Sequence, residues 1–392
     1  MKYKILLVLA LCSFVVTPVF AQGDSTITVN CAVGQSLNRT LSRLPKLLPF
    51  TVFVKGTCTE YVTIDGFDGL TLKGAPGATL QQPATTPSNG LGVWVLSIGA
   101  SRSVTVDGFA IHAGLSALGA IGIGQNSTDV RLRNLIIDGP AAFGIEIFEG
   151  SQVSLAGVTA SDNGFAALAA LDLSDVHIEQ SSFEQTTGAG FHEGLFVGSG
   201  HVTVQSTAIR NMQVGIGIGT HGSVDIQSFN TYFPVVRPND VVIDNPAGNN
   251  FQGVALTRGT LGIGDTKLRI TNAGQPFGGG SAAISASEDS TLGDGNGNLV
   301  ISGSRGQGIF VSNNSHATLA GSSITGGSHG GLVAVNLSTI SVEPGSSQTL
   351  VGGNLTDVFC DSRSLVTGAT NFAGVPIVNC GNLLPGDTVP LP

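Results

Sequence analysis

The stretch Ile121-Gly-Ile-Gly-Gln-Asn126-Ser-Thr-Asp-Val130-Arg-Leu132-Arg-Asn-Leu135-Ile-Ile137-Asp138-Gly139 decides the fold, because the chain repeats it. One period later come Ile145-Glu-Ile147, Gly150-Ser151, Val153-Ser-Leu155, Val158 and Asn163-Gly164. Val130, Val153 and Val176 are each 23 residues apart; the register continues at Val202 and Val224 and returns at Ala317 and Ile340. A fixed period in the twenties marks a solenoid in which each repeat is one supersecondary unit. The apolar runs are short, alternate with period two and are separated by Gly, Asn and Ser. The units are therefore coils of strand, not helix pairs.

Outward from that core, the ends read differently. Residues 1–21 carry Lys2 and Lys4, the apolar run Ile5 to Val16 and the small-residue site Val19-Phe20-Ala21. That is the pattern of a secretory signal of bacterial style, so the expected location is the periplasm or the cell exterior. No later apolar stretch is long enough to span a bilayer. Residues 22–50 are expected to form an N-terminal cap, with Leu37, Leu41, Leu44 and Leu48 striping a short amphipathic helix limited by Pro45 and Pro49. The solenoid proper is expected over 51–353, about twelve coils, with a projecting loop at 229–250 where Pro234, Pro238 and Pro246 interrupt the pattern. A C-terminal cap over 354–382 and a loose tail over 383–392 complete the chain.

Charged residues are 11% of the chain, less than half the usual share, while hydrophobic residues are 41% despite 56 glycines. That much apolar surface excludes a disordered glycine-rich polymer. Without Lys2 and Lys4, 15 basic residues face 26 acidic ones, a net charge of -11. Such a chain is not expected to bind nucleic acid or an anionic membrane. Beyond the signal the cysteines form two close pairs, Cys31 with Cys58 and Cys360 with Cys380. Export permits disulfides, and bridges at both ends would secure the solenoid where its strand edges are open.

The Gly-Ile-x-Ile, Ser-x-Val-x-Leu and Asn-Gly or Asp-Gly elements resemble the right-handed parallel β-helix proteins of the pectin-lyase-like superfamily. The resemblance covers Thr51 to about Val351. It implies an all-β fold, a right-handed parallel β-helix solenoid with a short N-terminal capping helix. It leaves activity open, since the superfamily includes polysaccharide lyases, glycoside hydrolases, epimerases, adhesins and proteins without catalysis. Its lyases pair calcium-binding aspartates with a basic residue, and its pectin hydrolases carry Asn-Thr-Asp, Asp-Asp, Gly-His-Gly and Arg-Ile-Lys signatures. Only Gly327-Ser-His329-Gly330 approaches one of these here.

From Asn134 through Ile209 there is no Lys or Arg, but nine carboxylates: Asp138, Glu146, Glu149, Asp162, Asp172, Asp175, Glu179, Glu184 and Glu193. Asn126, Glu149 and Asp172 each lie four residues before a key valine and so share a column. Asp175 and His201 each immediately precede one and should be neighbours about 5 Å apart. Three readings stand. Glu149, Asp172, Asp175 and His201 would be catalytic candidates, with two carboxylates as the acid and base of a glycosidase. Glu149, Asp172 and Asp175 would hold Ca²⁺ through flexible oxygen ligands. Or the belt is a solvated acidic face. Asp294, Asn296 and Asn298 have calcium-loop spacing, but Leu299 and Arg305 stand where Gly and Glu are needed, so a turn is expected.

The outward column Gly122, Glu146, Phe196, Gly217, Ala255, Phe310 and Val333 is mostly small or apolar, and Trp94 is the single tryptophan. Scarce aromatics weigh against a long saccharide groove. Two functions therefore follow from the sequence. One is a secreted, non-catalytic interaction or structural module whose partner is a polysaccharide or another surface protein. The other is a carbohydrate-active enzyme, a lyase or hydrolase, using the acidic belt of residues 146–201.

Overall fold

A computed structural model describes residues 25–85, 93–186, 192–228, 240–245, 252–274, 282–345, 347–354, 356–374 and 378–380. The chain winds as a parallel β-helix with three sheets of 14, 12 and 13 strands, here called sheets 1, 2 and 3 in the order each coil visits them. Among the described residues each strand inside a sheet pairs with its equivalent one coil before and after, always parallel. The expected register holds: Val130 pairs with Val153, Val153 with Val176, Val176 with Val202 and Val202 with Val224, all on sheet 1. It passes through Leu261 and Leu292 to Ala317 and Ile340. These side chains point inward and are buried, so one continuous apolar core runs along the axis. Parallel sheets close around a dry interior because every backbone group finds its partner in the neighbouring coil.

Two local devices shape sheet 3. In the turn from sheet 3 to sheet 1, buried serines stack as a ladder: the hydroxyl of Ser127 accepts from Ser101 N, and that of Ser151 accepts from Ser127 N. Early in several sheet 3 strands, among them Glu193–Val197, Val214–Ile218 and Gln252–Thr257, two successive residues are buried and the first is glycine. In those three coils a side chain has no room there, because a Cβ on Gly194, Gly215 or Gly253 would stand 2.4 or 2.5 Å from a methyl of Ile209, Ile243 or Ile270 on sheet 2. That kink lets two positions three residues apart both face outward on sheet 3, such as Phe143 and Glu146.

Several boundaries differ from expectation. The helix spans only Leu37–Leu41; Leu48 is exposed, since Pro45 and Pro49 end the stripe before it packs. Its Asn38 side chain donates to Tyr61 O at 2.8 Å and accepts from Thr63 N at 3.0 Å, satisfying backbone at the first edge of sheet 3. Ser25–Asn30, inside the segment expected as a cap, is the first strand of sheet 1. The segment expected to project includes Val241–Asp244, a strand of sheet 2 whose alternating apolar residues bury Val241 and Ile243. The rest of the loop, 229–239 and 246–250, lies outside the described residues, as do the signal segment 1–21 and the tail 383–392. Thr356–Cys360 and Leu365–Thr367, expected to break the pattern, continue sheets 3 and 1, with Val358 on Leu332 and Val366 on Ile340. Both expected disulfides form, Cys31 with Cys58 and Cys360 with Cys380.

Candidate functional site

The candidate residues of the acidic belt divide between two places. Glu149 and Asp172 lie in the turn from sheet 3 to sheet 1, both with left-handed backbone, φ 53° and 48°. They share a column as expected, since Gly150 N donates to Asp172 O and Asn126 N donates to Glu149 O. The Glu149 carboxylate turns back and accepts from Gln125 N at 2.7 Å. Asp175, three residues beyond Asp172, has already turned the corner onto the outer face of sheet 1 and pairs there with His201. Its Oδ2 lies 3.8 Å from His177 Nε2, while His201 directs Nδ1 at Ser223 Oγ (2.8 Å) and Nε2 toward Asp225 (3.8 Å). These half-exposed pairs are worth at most about 1 kcal/mol.

Glu149, Asp172 and Asp175 are not gathered: among the described residues, the one set of three ligand-type side chains within 4.8 Å of one another is Cys31, Cys58 and Glu60. Those two sulfurs are joined to each other, which removes them as ligands. The catalytic set is likewise dispersed, because the corner between sheets places Glu149 and Asp175 on different faces. Asp294 is the buried turn residue expected of it, accepting from Asn298 N, Leu299 N and Ser322 Oγ at 3.0, 3.1 and 2.5 Å.

The outer face of sheet 3 holds what the sequence did not bring together. Trp94 starts the strand Trp94–Gly99, and two coils later Glu146 sits in Phe143–Ile147. The indole lies flat over Gly122 of the intervening coil, where an added Cβ would stand 2.3 Å from Cδ2. Phe148 lies in the same way over Gly124, also at 2.3 Å. The two rings are 5.4 Å apart with planes inclined by 26°. Two glycines on one face of one strand thus seat two rings flat against the sheet, a close approach that only a missing Cβ allows. The Trp94 Nε1–H donates to Glu146 Oε2 at 3.2 Å. Tyr61, Asp65, Gln125 and Glu149 complete a groove of about 490 Å³ above this floor.

Farther along the same face, Phe143, Phe165 and Phe196 meet edge to face, with centroids 5.5 and 5.8 Å apart. Glu193 lies beside them, folded over Gly217 one coil ahead, so that a Cβ on Gly217 would be 2.7 Å from Oε2. Glu193 is buried and its Oε2 has no hydrogen-bond partner. Burial pushes its carboxyl up to about 7. Glu146 is also raised, by burial first, with the Trp94 hydrogen bond opposing and the Asp172 charge adding. Glu146 leans toward the N-terminal end, onto the indole above Gly122, and Glu193 one coil toward the C-terminal end, so they diverge and form no acid–base pair. Trp94 and Phe148 escaped the sequence reading because a single tryptophan suggested no platform. The available signal was Gly122 and Gly124, alternate outward positions left empty in a coil flanked by coils bearing Trp and Phe.

Residues 52–231 match the family model described as right handed beta helix region. No curated protein matches. The fold is similar to that of PfbA, a surface adhesin of Streptococcus pneumoniae, at 12% identity and a TM-score of 0.39, covering 81% of this chain and 85% of that one. It is similar to an alginate lyase from Paenibacillus sp. at 14% identity and 0.37, covering 91% and 99%. It is also similar to the catalytic domain of a family 87 α-1,3-glucanase at 14% identity and 0.41, covering 92% and 68%.

Proposed function

We propose that this right-handed β-helix protein is an exported, non-catalytic module that holds a saccharide against the outer face of sheet 3. The observation that carries the reading is the flat floor of Trp94 and Phe148 seated on Gly122 and Gly124. Sugar rings present a flat face of C–H groups that stacks on an aromatic plane, while their hydroxyls donate to carboxylates and exchange hydrogen bonds with amides around it. Gln125, Asp65 and Glu149 supply such groups at the groove wall. Binding without cleavage is favoured because Glu146 and Glu193 diverge and Glu149, Asp172 and Asp175 are spread over a turn and a second face. Export is supported by the basic and apolar start of the chain and by two disulfides. Among the described residues no helix is long and apolar enough to cross a membrane.

A hydrolase reading draws on one observation, the buried Glu193 carboxyl raised to about 7, which is the state of a general acid. One experiment separates the two. Wild type, Trp94→Ala and Glu193→Gln are incubated with a panel of neutral, amino and uronic oligosaccharides, and binding and product release are measured together. Retained oligosaccharide without new ends, lost in Trp94→Ala and kept in Glu193→Gln, supports the binding module. Turnover abolished by Glu193→Gln would replace it with the hydrolase.

A further inference from the structure

We infer that the Trp94 groove selects a cationic amino-sugar polymer, an inference that rests on the saccharide-binding reading and adds the charge of the ligand. The argument is one of unmatched charge. Three cations near the groove already have an anion: Lys46 is 3.0 Å from Asp65, Arg102 pairs with Asp68, and Arg131 lies 2.8 Å from Asp129. Arg39, which lines the adjoining cavity beside Lys46 and Asp65, forms no ion pair among the described residues and stands apart from Glu149 and Glu146. Glu149 in the groove wall and Glu146 at the indole edge form no ion pair with Lys, Arg or His among the described residues, and no Lys or Arg occurs from Asn134 through Ile209. Their hydrogen bonds come from neutral N–H groups, Gln125 N and Trp94 Nε1, which bring no counter-charge.

An ammonium group on a stacked sugar completes this site twice over. It supplies the missing counter-charge to Glu149, and it lies near the face of Trp94, where the ring quadrupole attracts cations. The Glu146 carboxylate on the indole N–H pushes electron density into the ring and strengthens that attraction. A polyuronate would bring a carboxylate to every ring against the same two charges, so the groove rejects it. A basic peptide could match the charge, but it lacks the broad C–H face that the two adjacent rings receive.

The single tryptophan makes the test direct, since Trp94 fluorescence reports the groove alone. At mildly acidic pH the protein is titrated with a β-1,4-linked glucosamine hexamer, its N-acetylated counterpart, an oligogalacturonate and hexalysine, with calorimetry in parallel. The glucosamine hexamer is expected to bind roughly tenfold or more tighter than the N-acetylated one, with an advantage that shrinks at high salt. Glu149→Gln and Glu146→Gln each keep the oxygen that accepts the existing hydrogen bond and remove the charge. Each should cut that advantage severalfold with unchanged circular dichroism. Equal or tighter binding of the N-acetylated hexamer overturns the charge selection and leaves the saccharide reading standing. Hexalysine binding as tightly as the glucosamine hexamer overturns it in favour of a basic peptide. No binding of any oligosaccharide, by fluorescence or calorimetry, sinks both.

Discussion

Glu193 should make the protein lose stability as pH rises through the range where most carboxylates are already ionised. Its carboxyl has an ordinary value of 4.5 and is held at about 7 by burial in the folded state. The folded chain therefore binds a proton that the unfolded chain has released throughout that interval, and stability falls as pH rises across it. Integrating over the interval gives about 3 kcal/mol, absent below pH ~4.5 and complete above pH ~7. For a chain of this length that corresponds to about 4 °C in melting temperature. Glu193→Gln keeps the side chain's shape and cannot ionise, so it removes the pH-dependent part, whatever fixed cost its new amide adds. The assay compares thermal and urea unfolding of wild type and variant from about pH 4 to 8, with hydrogen exchange on strand Glu193–Val197 to catch opening confined to that coil. The difference between the two proteins should shift in favour of the variant by about 4 °C over the range. A constant difference would refute the reasoning and show that the Glu193 carboxylate is solvated when ionised.

Val153→Asp should cost several kcal/mol because Val153 is buried in the axial core, whereas Ser154→Asp, one residue on and facing outward, should be nearly silent; similar melts would place the register one residue off. Cys58→Ala opens a loop of 27 residues and should destabilise the N-terminal coils by about 3.5 kcal/mol on the chain-entropy account, read by local hydrogen exchange; unchanged protection there would refute it. Millimolar Ca²⁺ should raise the melting temperature no more than Mg²⁺ at matched ionic strength, because Glu149, Asp172 and Asp175 do not converge. A calcium-specific rise lost in Glu149→Gln/Asp172→Asn would reverse that.

The register was legible because it is enforced at every coil: a one-residue slip would turn each buried Val, Ile or Leu to the outside. Val130, Val153 and Val176 needed nothing more than counting. The pattern faded between Val224 and Ala317 for a local reason. Val224 pairs with Leu261 and Leu261 with Leu292, steps of 37 and 31 residues, so turns of unequal length hide a column that the sheet keeps intact. The platform was less legible because it belongs to no single repeat. Trp94 comes from one coil, Gly122 and Gly124 from the next and Glu146 and Phe148 from the one after. Reading the outward column alone recorded Gly122 as an empty position, when its emptiness is what seats the indole.

The acidic belt carries the same lesson in reverse, since its density suggested chemistry that the coil geometry spends on staples. In stacked coils a turn side chain lies within reach of the neighbouring coil's backbone N–H groups and hydroxyls, so a carboxylate finds donors there without any cation. Glu149 takes Gln125 N, Asp162 takes Thr186 N and Oγ1 at 2.8 and 2.6 Å, and Glu179 takes Gln205 Nε2 at 3.1 Å. Each bond crosses from one coil to another, so these carboxylates tie neighbouring coils together. Glu193 stands outside this scheme. It faces aromatic surface, its Oε2 has no donor, and burial opposes its ionisation. A carboxylate that secures no coil contributes nothing to the stacking by its charge and lowers stability when ionised. Its position among Phe165, Phe196 and Gly217 therefore makes the outer face of sheet 3, and not the belt as a whole, the surface where a ligand should be sought.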